Sequence, residues 1–90
     1  MPRHERSFVI VNTLGLHARA AAQLVQAANR FRSEIHVEKD GMEVNGKSIM
    51  GVLTLAAAKG SSILVTIDGE DAEAAMVVLA KMIENGFGET

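Results

Sequence analysis

Apolar and polar residues alternate strictly in "SEIHVEKDG": Ile35 and Val37 fall on one side, Glu34, His36 and Glu38 on the other. A period of two marks a strand with one buried face. Asp40-Gly41 supplies a tight turn, so this segment and "MEVNG" are predicted as a β-hairpin. Upstream, Arg6–Asn12 ("RSFVIVN") is β-branched and aromatic and predicts a first strand, broken by "TLG". "SSILVTIDG" predicts the fourth. Elsewhere the period changes. From Ala18 onward, Ala21, Leu24, Val25 and Ala28 follow i, i+3, i+4, i+7 spacing, with Arg19, Gln23, Gln26 and Arg30 on the opposite side, which predicts an amphipathic helix. Ala72, Ala75, Met76, Leu79 and Ile83 form a second such stripe, with Asp71 as its cap and Asn85-Gly86 as its stop. Ser48–Ala58 is predicted as a short helix with Ser48 as N-cap, weakened by Gly51 and Thr54.

The order is therefore β-α-β-β-α-β-α. Strands that alternate favour an antiparallel sheet with one covered face. The predicted fold class is α+β: an open-faced sandwich, a four-stranded antiparallel sheet with three helices on one face. A chain of 90 residues with no linker, repeat or low-complexity block suits one domain over 1–90 and one small core.

Composition narrows the functions available. Nine basic and 11 acidic residues are well mixed and leave a net charge of -2, which provides no broad basic footprint for nucleic acid or anionic lipid. With three Phe and no Tyr or Trp, a sheet that stacks RNA bases is also disfavoured. The absence of cysteine excludes disulfides and thiolate metal sites and suits a reducing compartment. "MPRHERSFVI" lacks an apolar export segment, and no apolar run approaches the roughly 20 residues of a membrane span, so a cytoplasmic protein without membrane insertion is expected.

The candidate chemistry lies at the start of the first helix, "GLHARA". The first N–H groups of a helix have no intrahelical acceptor and carry the positive end of its dipole. A Ser, Thr, Asp or Asn usually caps them. Here Leu16, His17 and Ala18 stand at that point, and Arg19 adds a cationic fork suited to phosphate oxygens. The amides of Ala18 and Arg19 are thus candidate phosphate-binding groups. A helix start also disfavours a second positive charge, which suits a neutral, nucleophilic imidazole. On these residues alone, His17 is more simply read as an exposed first-turn side chain. His4, in a terminus expected to fray, and His36, on a solvent face, are weaker candidates. No metal site is expected, because no carboxylate or second histidine has ligand spacing around His17. Ser48 is, on the same basis, an ordinary cap.

Taken together, "GLHARAAAQLVQAA" and "VNGKSIMGVLTLAAAKG" resemble the histidine-containing phosphocarrier family, HPr, of the bacterial phosphoenolpyruvate-dependent phosphotransferase system. The resemblance runs from about Ser7 to Gly88. It implies that His17 accepts a phosphoryl group from enzyme I and passes it to a histidine of a sugar-specific or nitrogen-related acceptor protein. Arg19 would stabilise the phosphate, and no cofactor is implied. The carrier would be no free-standing enzyme but a relay turned over by its partners, and a monomer. The resemblance also implies that Ser48, within "GKSIMG", is a regulatory phosphorylation site for an HPr serine kinase/phosphorylase. Phosphoserine at a helix start is tolerated by the dipole, so its effect should fall on docking. Leu16, Ile49, Met50 and Leu53 are the expected apolar docking residues. The chain departs from the common family pattern at Ala20, where proline is usual; this loosens the first turn and leaves the branch open among sugar-transport, nitrogen-related and chiefly regulatory members. The alternative function is a regulatory binding module that acts through protein contacts alone.

Overall fold

The structure, a computed structural model, describes residues 2–89. Strand β1 (Arg3–Val9) leads into helix α1 (Ala18–Ala28), hairpin β2 (Glu34–Lys39) and β3 (Met42–Asn45), helix α2 (Ile49–Thr54), strand β4 (Ser62–Asp68) and helix α3 (Ala72–Glu84), followed by a turn of 3-10 helix at Gly86–Gly88. The four strands form one antiparallel sheet in the order β1-β4-β2-β3. The expected fold class is the observed one.

Alternation decides which face is covered. Ile35 and Val37 of β2, with Ile63, Val65 and Ile67 of β4, are at most 2% exposed and meet the apolar stripes of the helices. Their neighbours in sequence line the open face. Along α1, Ala20, Ala21, Leu24, Val25, Ala27 and Ala28 are buried, so alanine at the contact positions lets the helix lie close to its neighbours. The α3 stripe of Ala72, Ala75, Met76, Leu79 and Ile83 is buried as expected. At the edge, Arg6 lies with its guanidinium 4.7 Å from the centre of the Phe8 ring and pairs with Glu84 at 3.1 Å, covering the core between β1 and α3.

Three local expectations are corrected. β1 begins at Arg3 and ends at Val9, not over Arg6–Asn12, because its pairing with β4 runs from Arg3 opposite Asp68 to Val9 opposite Ser62. His4 therefore belongs to a strand rather than a frayed end. α2 is shorter than Ser48–Ala58: Ala56 turns left-handed, with φ 49°, and the helix stops. Asp71 stands at the start of α3, yet its carboxylate makes no cap bond there. It accepts instead from the Arg32 and Ser33 amides at 2.8 and 2.9 Å and from the Ser33 hydroxyl, fastening the α1–β2 connection. The hairpin turn is as predicted, with Asp40 and Gly41 at φ 51° and 83°.

Candidate functional site

The loop between β1 and α1 is pinned on both sides. Ile10 exchanges backbone bonds with Ser61 and Gly60 at 2.9 and 2.8 Å, prolonging the β1–β4 pairing. Gly15 donates to Asn12 O at 3.1 Å in a turn, and Leu16 N donates to Ala57 O at 2.8 Å, beyond the end of α2. Gly15 is required at this turn: its φ is +64°, and an added Cβ would strike the Ala57 carbonyl. The chain reaches α1 with a fixed direction.

His17 is the N-cap residue of α1 in extended conformation, and its side chain makes no cap bond. The first N–H with an intrahelical acceptor is that of Ala21, bonded to His17 O at 2.8 Å. The start of the helix is uncapped, as the sequence implies, and exposed at Ala18 and Arg19. The His17 ring is half-buried. Its Nε2 lies 2.8 Å from Glu89 Oε1.

That carboxylate was not legible in the sequence, since it lies 72 residues away. Glu89 is brought in by the segment after α3, where Phe87 folds back into the core at 4% exposure. Asn12, itself 1% exposed, donates one amide hydrogen to Gly15 O at 2.7 Å and the other to Glu89 Oε1 at 2.9 Å. The Asn12 bond, with that of His17 and the charge of Arg19, holds the Glu89 carboxyl below the usual range against the opposing effect of burial. The only available signal was the glycine-flanked Phe87 in "NGFGET", which suggests a tail folded back on the core, as observed, but does not bring Glu89 to His17.

Other candidate residues divide by location. Ser48 caps α2, its Oγ accepting from Gly51 N at 3.1 Å. The carbonyl of Lys47 accepts from Asn29 Nδ2 at 3.2 Å, so Ser48 lies beside the far end of α1. The 11 residues of α1 thus separate Ser48 from His17, a helix length of roughly 17 Å. Ile49 and Met50 are exposed, Met50 at 73%, and Leu53 is half-buried against the core. Leu16 is corrected: at 3% exposure it is a core anchor and offers no docking surface, because its bond to Ala57 turns it inward. Leu14, 66% exposed in the same loop, is the apolar residue that faces outward. Among the described residues no cluster of His, Cys, Asp or Glu fits a metal ion, and no helix is long and apolar enough to cross a membrane.

Comparison with known proteins bears on this geometry. A family model described as the PTS HPr component phosphorylation site matches residues 4–85. The phosphocarrier protein HPr of Xylella fastidiosa is 51% identical over 85 residues, covering 94% of this chain and 96% of that one. The HPr-like protein Crh of Halalkalibacterium halodurans is 54% identical over 70 residues, covering 78% and 83%. The crystal structure of HPr from Thermoanaerobacter tengcongensis superposes with a TM-score of 0.93 at 45% identity, over 97% of this chain and 98% of that one.

Proposed function

The chain belongs to the HPr family of phosphotransferase-system phosphocarriers, and from that premise we propose that His17 accepts a phosphoryl group from enzyme I and delivers it to a histidine of an acceptor protein. The observation that carries this reading is the uncapped start of α1 with an imidazole at its N-cap. Glu89 engages Nε2, which leaves Nδ1 as the nucleophile. Nδ1 is also the ring nitrogen nearer the backbone, so a phosphoryl group on it lies towards the amides of Ala18 and Arg19. There the N–H groups, the helix dipole and the Arg19 guanidinium meet its oxygens.

The site binds phosphate without enclosing it. Among the described residues no glycine-rich cradle surrounds His17, and the ring stays partly open, so a partner can approach the phosphorus from solvent. That suits a relay, in which donor and acceptor complete each transition state. The acceptors are sugar-specific or nitrogen-related phosphotransferase proteins in the cytoplasm, and the carrier works as a monomer within the domain 1–90. Leu14, Ile49 and Met50 supply the exposed apolar contacts of docking.

Ser48 is the regulatory site in this reading. Its hydroxyl caps α2, so a serine kinase/phosphorylase would place the phosphate where the helix dipole accepts it and where the dianion lies next to Ile49 and Met50. A second reading, a regulatory module acting by contacts alone, is favoured by the similarity to Crh of Bacillus subtilis, which is described as a catabolite repression HPr. The two part at His17. With phosphoenolpyruvate and a bacterial enzyme I, the wild-type protein should gain one acid-labile phosphoryl group, and His17→Ala none. A folded wild type that gains none from an enzyme I active on an HPr relative would favour the regulatory module.

A further inference from the structure

Among the described residues, Glu89 provides the carboxylate that touches the His17 ring, and the structure holds it there on two sides. The chain around it is unusual. Gly86, Phe87 and Gly88 have φ of 61°, 58° and 75°, three successive left-handed residues of which one bears a large side chain. A conformation that L residues avoid persists where packing over-determines it, and here the buried Phe87 ring does so. The strained turn delivers Glu89 back to α1. Asn12 then meets its carboxylate with one hydrogen and the α1 loop with the other, so tail and loop share one clamp.

We propose that Glu89 is a positioning residue for phosphoryl transfer: held by Asn12, it keeps the proton of His17 on Nε2 and offsets the positive charge the ring acquires when Nδ1 is phosphorylated. The inference rests on His17 being the acceptor. An ionised carboxylate can only accept, so the ring nitrogen 2.8 Å from it must carry hydrogen. A neutral imidazole has a single N–H, so its lone pair is then on Nδ1. The depressed titration of Glu89 keeps the carboxylate ionised at neutral pH. In the transfer step the Nδ1 lone pair forms the N–P bond as the bond from phosphorus to the donor breaks, and that electron pair leaves with the donor. The Nε2 proton stays in place. The ring becomes cationic, and its charge falls directly against Glu89. On delivery, the N–P electrons return to Nδ1 and the ring is neutral again. The same orienting role is played by a buried aspartate behind a catalytic histidine in serine proteases.

The test uses Glu89→Gln, which keeps an oxygen acceptor without charge, and Glu89→Ala, which removes both. Phosphorylation by phosphoenolpyruvate and a bacterial enzyme I is timed, and ring 15N signals of His17 are recorded on the free protein, with backbone amide spectra as a check on folding. The expected maximal rate falls about tenfold for Gln and up to about a hundredfold for Ala, by analogy with the loss when the partner that orients a metal-ligating histidine is removed. The KM for enzyme I should change little, and in Ala the ring signals should move from a fixed Nε2–H form towards a mixture of both tautomers. Wild-type rates in both variants, or a slower Ala variant with unchanged ring signals, would overturn the role assigned to Glu89 while leaving the carrier intact. A wild type that takes no phosphate from an enzyme I active on a relative would overturn the carrier reading and this inference with it.

Discussion

At the residue scale, Asp71 shows how a side chain placed for one task takes another. Its position before α3 predicts a cap, but three donors of the Arg32-Ser33 segment capture its carboxylate. The Ser33 hydroxyl bond, then the Arg32 amide, draw its titration from the ordinary 3.8 down to about 2, against a smaller opposing effect of burial. Because the folded value is depressed, the stabilisation is fully present above the unfolded value and is lost as pH falls through the folded one. The urea midpoint of the wild type should therefore exceed that of Asp71→Asn at neutral pH, with the gap closing between about pH 4 and pH 2. An unchanging gap across that window would show that the ionised form has no special role. Arg19 makes no ion pair within salt-bridge distance among the described residues, which leaves its guanidinium available to a phosphate. Arg19→Glu should slow phosphoryl acceptance without lowering the midpoint of urea unfolding; full-rate acceptance would remove Arg19 from the site.

At the element scale, the types and order of the elements were legible, while several boundaries were not. Period two in β2 and β4 and the helical stripes of α1 and α3 record burial directly, so they could be read from side chains alone. β1 could not. Its first residues, Arg3, Glu5 and Arg6, are charged and exposed, and they are a strand only because β4 pairs with them. Val11 and Asn12 look like strand but form the loop that aims His17, because Gly15 and Leu16 must turn towards Ala57. The same contact ends α2. Ala56 takes a left-handed conformation so that Ala57 can meet Leu16, and an alanine there costs about 1–2 kcal/mol. Ala56→Gly relieves that cost and gives back part of it as unfolded-chain entropy, for a net gain of about 0.5–1 kcal/mol and a Tm a few degrees higher. A lower Tm by calorimetry would mean that Ala56 is held without strain.

At the scale of the whole molecule, α1 joins two places of opposite character. His17 stands at its start, and its other end, through Asn29 and Lys47, abuts the cap serine of α2. Ser48 modified by an ATP-dependent kinase should leave the amide spectrum of a folded protein and reduce acceptance from enzyme I, through docking at Ile49 and Met50. Undiminished acceptance would leave Ser48 only a cap. Much of the candidate site was legible because its parts are local: His17, Ala18 and Arg19 are consecutive, and so is the Ser48 neighbourhood. Glu89 and Asn12 were not, because the clamp exists only once the tail folds over the loop. Leu16 was misplaced for a related reason, since burial of a loop residue depends on what the loop meets.

A helix start left open for phosphate is the centre of the proposed function, and the amides of that start can be watched directly. We would compare 1H–15N spectra of the protein before and after phosphorylation by phosphoenolpyruvate and enzyme I. If phosphate takes the place of the missing cap, the amide protons of Ala18 and Arg19 should show the largest downfield shifts and slower exchange with water, with Gly51 at the start of α2 unchanged. Phosphorylated protein whose Ala18 and Arg19 amides do not move would contradict the account.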